Sequence, residues 1–148
     1  MLFATPVGQL TLGYIGNNLR CQFGKTKTNK EPSKTLANQL KNYLRGIQID
    51  YFDVETPEDP PFAMKCWNVC REIPYGETMS YKDLAVRAGS PLASRAAGQA
   101  MRNNPMTILT PCHRVVSSSG KLHGYSGTTN PQSIQLKRKM YLLNLEQL

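Results

Sequence analysis

The sequence predicts a small amino-terminal α/β domain followed by a mostly helical domain that contains a helix-turn-helix. β-prone runs fall within the first 54 residues, and an acidic, proline-rich run, "ETPEDPP" at residues 55–61, then interrupts the pattern. Beyond this run the spacing of apolar residues is helical. We therefore place the two domains at residues 1–58 and 59–148, a division that suits a chain of 148 residues.

The first domain contains a hairpin, a helix and a short strand. In "LTLGYIGNNLRCQFG", two β-prone runs meet at Gly16-Asn17-Asn18, which is typical of a tight β-turn. In "TLANQLKNYLRGIQ", Leu36, Leu40 and Leu44 recur every four residues, which predicts a helix with one apolar stripe. The run "IDYFDV", residues 49–54, alternates between apolar and polar residues, which predicts a short strand.

The second domain reads as a series of short helices. "FAMKCWNVCREIP" predicts a helix that ends at Pro74. Ser80 is placed to cap the helix "YKDLAVRAG", which Gly89 ends. Pro91 is expected to begin the next helix, "LASRAAGQAMR", which stops at residues 103–105, Asn-Asn-Pro.

The second helix of this helix-turn-helix candidate is unusually slim. Such a helix can press closely against a neighbouring helix, or its backbone can approach DNA. It offers mainly Arg95 and Gln99 as long polar side chains, so we expect close approach without much reading of bases. The small residues responsible are Ala93, Ala96, Ala97, Gly98 and Ala100.

The net charge of +8 is concentrated in the carboxyl-terminal part of the chain. Residues 1–94 hold 11 basic and 9 acidic residues, whereas residues 95–148 hold 7 basic residues and a single acidic one, Glu146. A basic region suits a polyanion such as nucleic acid. A solvated basic surface without function is the alternative, because an excess of this size is common.

Targeting and membrane signals are absent from the pattern. "MLFATPVGQL" has neither a basic start nor a sustained apolar core, and no window has the apolar length of a membrane helix. We expect a soluble intracellular protein without a membrane partner, whose cysteines are thiols rather than disulfides. These cysteines are Cys21, Cys66, Cys70 and Cys112.

The run "TPCHRVVSSSG", residues 110–120, holds the most informative cysteine. Cys112 can be a buried filler, a metal ligand or a nucleophile. Zinc is poorly supported, because Cys66 and Cys70 do not form the usual C-x-x-C pair and Trp67 between them suggests a core helix. A nucleophile needs a base or a lowered thiol pKa. His113 is adjacent, but neighbours in an extended chain point to opposite sides, so we expect it to act through a water.

Longer motifs resemble the O6-alkylguanine-DNA alkyltransferase family. "ILTPCHRVVSSSG" followed by "GYSG" resembles that family's active-site segment. "SYKDLAVRAGSPLASRAAGQAMRNNP" is similar to its helix-turn-helix, arginine finger and asparagine hinge, and "KRKMYLLNLE" to its terminal helix, which ends on a functional glutamate. The resemblance covers residues 62–148. The first sixty residues match only in kind, as a small α/β domain, which the family implies to be RNase H-like.

The resemblance implies irreversible transfer of an alkyl group to the protein itself. Cys112 would accept the group from guanine O6, and also from O4-alkylthymine, as a thioether that ends the protein's activity after one turnover. His113 would take the thiol proton through a water, and Glu146 would fix the tautomer of His113. Tyr81 would donate to guanine N3 as the base leaves.

The resemblance also implies a DNA-binding mode. The slim helix would enter the minor groove, and Arg95 would fill the gap left by a flipped nucleotide. Asn104 would hold the hinge between this helix and the active-site strand. Other DNA contacts would come from Ser80, Lys82, Ser90, Ala97, Gly98 and Ser118. The guanine pocket would be lined by Met101, Val115, Tyr125, Ser126 and Gly127.

The resemblance further implies a monomer that acts on double-stranded DNA containing alkylated guanine, without a cofactor. No metal is expected, because the amino-terminal domain lacks the cysteine and histidine set that binds zinc in some relatives. Localisation would be cytoplasmic, with the nucleoid in a bacterium, or nuclear in a eukaryote. Three other classes stay open: a lesion sensor, although such relatives lack the acceptor cysteine; a helix-turn-helix regulator; and a cysteine hydrolase, for which no oxyanion hole is marked.

Overall fold

Two hairpins in the first 23 residues build a three-stranded antiparallel sheet in the order β1-β2-β3. The strands are β1, Leu2–Thr5; β2, Gly8–Ile15; and β3, Asn18–Phe23. The computed structural model describes residues 1–55, 61–118 and 133–147. The predicted β2–β3 hairpin is confirmed: Gly16 at its turn has φ +63°, a left-handed conformation that glycine adopts without steric cost. Strand β1 is an addition to the predicted elements.

Helix α1, Lys34–Leu44, covers this sheet with the apolar stripe predicted for it. The strand predicted at residues 49–54 is wrong, because these residues form no ladder with another strand. Instead the side chain of Gln39 accepts a hydrogen bond from Asp53 N at 2.8 Å and donates one to Tyr51 O at 3.1 Å. Side-chain bonds to the helix thus replace the strand pairing that the alternating pattern predicted.

The described part of the second half contains four α-helices and a small parallel sheet. The cap predicted at Ser80 is confirmed, since its hydroxyl accepts from Asp83 N at 3.0 Å. Pro91 does not begin a helix: it lies in a turn closed by Ala93 N donating to Ser90 O at 2.9 Å. The elements are α2, Phe62–Arg71; β4, Met79–Ser80; α3, Tyr81–Arg87; α4, Ser94–Arg102; β5, Val115–Val116; and α5, Ile134–Leu145.

Two apolar cores lie on either side of the segment that carries Cys112. The first core joins β2, β3 and α1 to Ile108, Leu109 and the end of α5. The second, the helical core, joins α2, α3 and α4 to Cys112, Val115 and the start of α5. Segment 108–115 and helix α5 therefore contribute to both cores. The α/β class is confirmed, while the RNase H-like and helix-turn-helix assignments and the boundary at residue 58 remain predictions.

Candidate active site

Cys112 begins a single 3-10 turn, Cys112–Arg114, rather than an extended strand. The turn is closed by Arg114 N donating to Pro111 O at 2.8 Å, and β5 follows it directly. The extended geometry from which we placed Cys112 and His113 on opposite sides is therefore wrong. Cys112 is only 5% exposed and belongs to the helical core, so a substrate must reach a thiol that is almost enclosed.

The loop before this turn is bonded to β3 through its backbone and to itself through the side chain of Asn104. Asn104, the predicted hinge, donates from its amide to Thr110 O at 2.8 Å and accepts from Met106 N at 3.0 Å. Thr107 N donates to Cys21 O at 2.8 Å. Ile108 has φ +73°, which is unfavourable for a β-branched residue. The loop is thus held by several bonds in a conformation that its own backbone preferences oppose.

The structure brings His113 and Glu146 together. Glu146 caps the end of α5, and its Oε2 atom accepts from His113 Nε2 at 2.5 Å. Arg114 donates to both carboxylate oxygens, from Nε at 2.8 Å and from Nη2 at 3.2 Å, and Gly76 N adds a bond of 3.0 Å. All three side chains are at least 95% buried. The buried carboxylate is therefore both charge-paired and hydrogen-bonded, as a buried charge requires.

These contacts determine the charge states of the pair. Burial alone raises the pKa of Glu146, but hydrogen bonds from His113, Arg114 and Tyr43 outweigh it and hold this pKa well below its usual range. Burial lowers the pKa of His113; its bond to Glu146 opposes this shift, while the charges of Arg114 and Lys139 add to it. At neutral pH the pair is a carboxylate and a neutral imidazole. Because a carboxylate can only accept, we assign the imidazole proton to Nε2, which faces it, and Nδ1 has no hydrogen-bond partner among the described residues.

Sequence reasoning assigned no role to Arg114 and missed two further residues of this site. Tyr43 of α1 donates its hydroxyl hydrogen bond to Glu146 Oε2 at 2.5 Å and is fully buried. Its position in the apolar stripe of α1 marked it only as a core aromatic, so the sequence held no signal for the contact. Lys139 is also fully buried and donates to Val115 O at 2.7 Å. Here a signal existed, because Lys139 lies three residues from both Leu136 and Leu142 on the buried face of α5.

Lys139 adds a positive charge near the thiol. Burial lowers the pKa of Lys139 to about 8, and the nearby Cys112 opposes this shift. Its ammonium lies 5.8 Å from the ring centre of Tyr81, within cation–π range. Burial also raises the pKa of Tyr81 to about 12, and Cys112 adds to this effect. Tyr81 therefore keeps its proton at neutral pH and can donate a hydrogen bond.

The predicted finger, Arg95, lies on the outer face of α4, the face that also carries Gly98, Gln99 and Arg102. Arg95 is exposed, and with Tyr81 and Gly98 it lines an open cavity of about 410 Å³. Lys82 is also exposed, whereas Ser80 and Ser90 are half-buried. The predicted DNA contact at Ala97 is wrong, because this residue is 0% exposed and packs in the helical core. Its position on the inner face of α4 hides it from any partner of the outer face.

The residues predicted for the guanine pocket are only partly described. Met101 and Val115 are buried in the helical core beside Cys112, at 6% and 0% exposure. Tyr125, Ser126 and Gly127 lie outside the described residues. Ser118, a predicted DNA contact, is exposed at the end of the described segment. Of the thiols we considered for zinc, Cys66 and Cys70 are both buried in the same core, and within the described residues no group of three metal-binding side chains occurs.

Comparison with known proteins gives one consistent result. Residues 61–148 match the family model for the 6-O-methylguanine DNA methyltransferase DNA-binding domain. A methylated-DNA–protein-cysteine methyltransferase of Methanosarcina acetivorans is 36% identical, over 92% of this chain and 94% of the relative. A protein of the same name from Mycobacterium tuberculosis is 39% identical, over 96% and 88%.

The chain belongs to the 6-O-methylguanine DNA methyltransferase family.

The likeness extends to solved structures of this family. The structure of Mycobacterium tuberculosis OGT in complex with DNA matches with a TM-score of 0.77 and 36% identity, over 98% of this chain and 90% of that one. The family model covers only residues 61–148, whereas the matches to the relatives and to this structure extend into the first sixty residues. In the part of the chain that the structure describes, no helix combines the length and apolarity needed to cross a membrane.

Proposed function

We propose that this protein repairs alkylated DNA by moving an alkyl group from guanine O6, and from thymine O4, to the sulfur of Cys112. Three things support the proposal: family membership, the DNA complex of a similar protein, and the geometry around Cys112. The observation that carries it is the neutral His113 beside Cys112, bound through Nε2 to ionised Glu146 and with Nδ1 left to accept a proton.

The transfer would proceed as one displacement. His113 Nδ1 takes the Cys112 proton through a bridging water, and the thiolate attacks the alkyl carbon. A carbon–sulfur bond forms as the carbon–O6 bond breaks, and the electron pair of the broken bond goes to the guanine. Tyr81 donates to guanine N3 as this charge develops. The positive charge of Lys139 favours thiolate over thiol near Cys112. The product is a thioether, so each protein acts once.

We propose base flipping, which the burial of the thiol supports. Cys112 is 95% buried, so a base stacked in a duplex does not reach its sulfur, and the nucleotide must turn out of the helix. We propose that the outer face of α4 lies in the minor groove and that Arg95 fills the vacated stack. The exposed position of Arg95 beside the cavity at Tyr81 and Gly98 supports this role. We propose further that the protein acts as a monomer.

The test is to identify the atom that carries the alkyl group. The protein is mixed with a duplex containing O6-methylguanine and digested with trypsin, which releases residues 103–114, a peptide whose single cysteine is Cys112. We expect a methyl increment on this peptide, its absence in Cys112→Ser, and its retention in the control Cys21→Ala. Binding without an increment would instead indicate a lesion sensor, and binding confined to one defined unmodified sequence would indicate a regulator.

A further inference from the structure

We propose that Tyr43 is a positioning residue of alkyl transfer, whose hydroxyl sets the orientation and proton affinity of His113 through the shared carboxylate of Glu146. This inference rests on the proposed function of Cys112 and His113. It assigns a part in the chemistry to α1, an element of the first sixty residues, which the family model of the DNA-binding domain does not cover.

The geometry places one hydroxyl against both members of the pair. Tyr43 Oη lies 2.5 Å from Glu146 Oε2 and 3.3 Å from His113 Nε2, and the ring is fully buried. A phenol has a single proton to donate. Because Tyr43 gives this proton to the carboxylate, it faces His113 with oxygen lone pairs only. Nε2 therefore meets two acceptors, and a neutral imidazole satisfies both only by carrying its proton on Nε2.

The same hydroxyl affects how strongly His113 holds a second proton. Its bond to Glu146 disperses part of the carboxylate charge that would otherwise attract a proton to the imidazole. The lone pairs of the Tyr43 hydroxyl would instead stabilise an imidazolium. They lie 3.3 Å from His113 Nε2, whereas the hydroxyl lies 2.5 Å from Glu146 Oε2, so the bond to the carboxylate dominates. Removing the hydroxyl should raise the proton affinity of His113. The other charges facing the imidazole, Arg114 and Lys139, stay in place.

Tyr43 also packs as a core residue, and this role must be separated from the proposed one. Its ring makes edge contacts with Phe52 and Tyr75 at centroid distances of 5.9 and 6.1 Å. Tyr43→Phe keeps the ring and these contacts and removes only the oxygen. Tyr75→Phe is the matched control, because it removes a hydroxyl from the same aromatic cluster, and within the described residues the only hydrogen bond of this hydroxyl is to Leu145 O at 3.5 Å.

The first experiment measures single-turnover transfer from an O6-methylguanine duplex between about pH 5 and about pH 9. We expect the acid limb of the Tyr43→Phe profile to move up by about one pH unit, so that this variant is about tenfold slower at low pH and approaches the wild type at high pH. Tyr75→Phe should follow the wild type. A Tyr43→Phe profile that coincides with the wild type, or that falls equally at every pH together with the melting temperature, overturns the inference.

The second experiment needs neither a lesion nor repair. The chain has two histidines, so ¹⁵N-histidine spectra contain two rings, and His123→Asn assigns them. We expect His113 to carry its proton on Nε2 in the wild type and to titrate at higher pH in Tyr43→Phe. A proton on Nδ1 in the wild type overturns the inference even if the variant does not fold. If the wild type shows the expected spectrum but transfers no methyl group, the proposed function fails separately.

Discussion

Gly98→Ala tests whether the small residues of α4 serve packing against a neighbouring helix or close approach to DNA. The two interpretations predict different effects of this substitution on DNA affinity. Gly98 lies inside α4 and is half-buried. Among the described residues, a Cβ built there meets only Tyr81 Cδ1, at 3.9 Å, which is an ordinary contact. Glycine inside a helix costs about 0.5–1 kcal/mol relative to alanine. We therefore expect Gly98→Ala to raise the free energy of unfolding by about that amount.

DNA affinity should change in the opposite direction. If the backbone at Gly98 lies against the minor groove, a methyl group there holds the helix away from the DNA. We expect the binding free energy to weaken by about 1.4 kcal/mol, which raises Kd about tenfold. Urea unfolding gives the first quantity, and fluorescence anisotropy with a labelled duplex at fixed salt gives the second.

Asn38→Ala is the control for helix propensity alone. Asn38 is exposed in the middle of α1, so this change should raise stability by roughly 0.5 kcal/mol and leave DNA affinity unchanged. A destabilised Gly98→Ala protein would show that Gly98 is needed for packing. Unchanged affinity in a stabilised Gly98→Ala protein would refute the approach of α4 to DNA at this position.

Three further outcomes are expected. Arg95→Ala should slow repair of a duplex much more than reaction with free O6-alkylguanine, which needs no flipping; equal slowing in a kinetic comparison would assign Arg95 to the fold. Titration against excess methylated duplex should stop at one equivalent, and binding should weaken with salt; continued turnover contradicts a permanent thioether, and indifference to salt contradicts the electrostatic argument. Glu146→Gln should lower the free energy of unfolding at neutral pH by about 3 kcal/mol, because it leaves the buried guanidinium of Arg114 without the carboxylate charge that neutralises it.

The pH dependence of that last difference follows from the pKa of Glu146. Its folded value lies below the ordinary 4.5, so the stability contributed by the carboxylate is present above pH 4.5 and is lost as pH falls below it. The difference in free energy of unfolding between the wild type and Glu146→Gln, measured with urea, should therefore decrease at acid pH. His113 adds a separate loss below pH 6.5, because its folded pKa is also lowered and only the unfolded chain gains the proton there. A gap that stays constant down to pH 3 would contradict the ionised state of Glu146.

The sequence by itself determined the features whose causes lie within a few residues. The turn at Gly16, the cap at Ser80 and the carboxyl-terminal ends of α3 and α4 depend on backbone preferences and local hydrogen bonds, which are present wherever the chain folds. The motif around Cys112 identified the family in the same way, since its residues are consecutive.

Only the tertiary structure decided which distant residues share the site. Glu146 meets His113 across 33 residues, a pairing that the family resemblance implied but no local pattern predicted, and Tyr43 meets Glu146 across 103, a contact without any sequence signal. The tertiary structure also divided the small residues of α4 between two faces, with Ala97 in the core and Gly98 beside the cavity that Arg95 lines. One face of this helix therefore packs against its neighbours while the other stays accessible. Residues 49–54 likewise lost their predicted strand to hydrogen bonds with Gln39. A periodic pattern indicates which face of a helix or strand is buried. The residues that cover this face come from elsewhere in the chain, so they are determined only when the elements pack together.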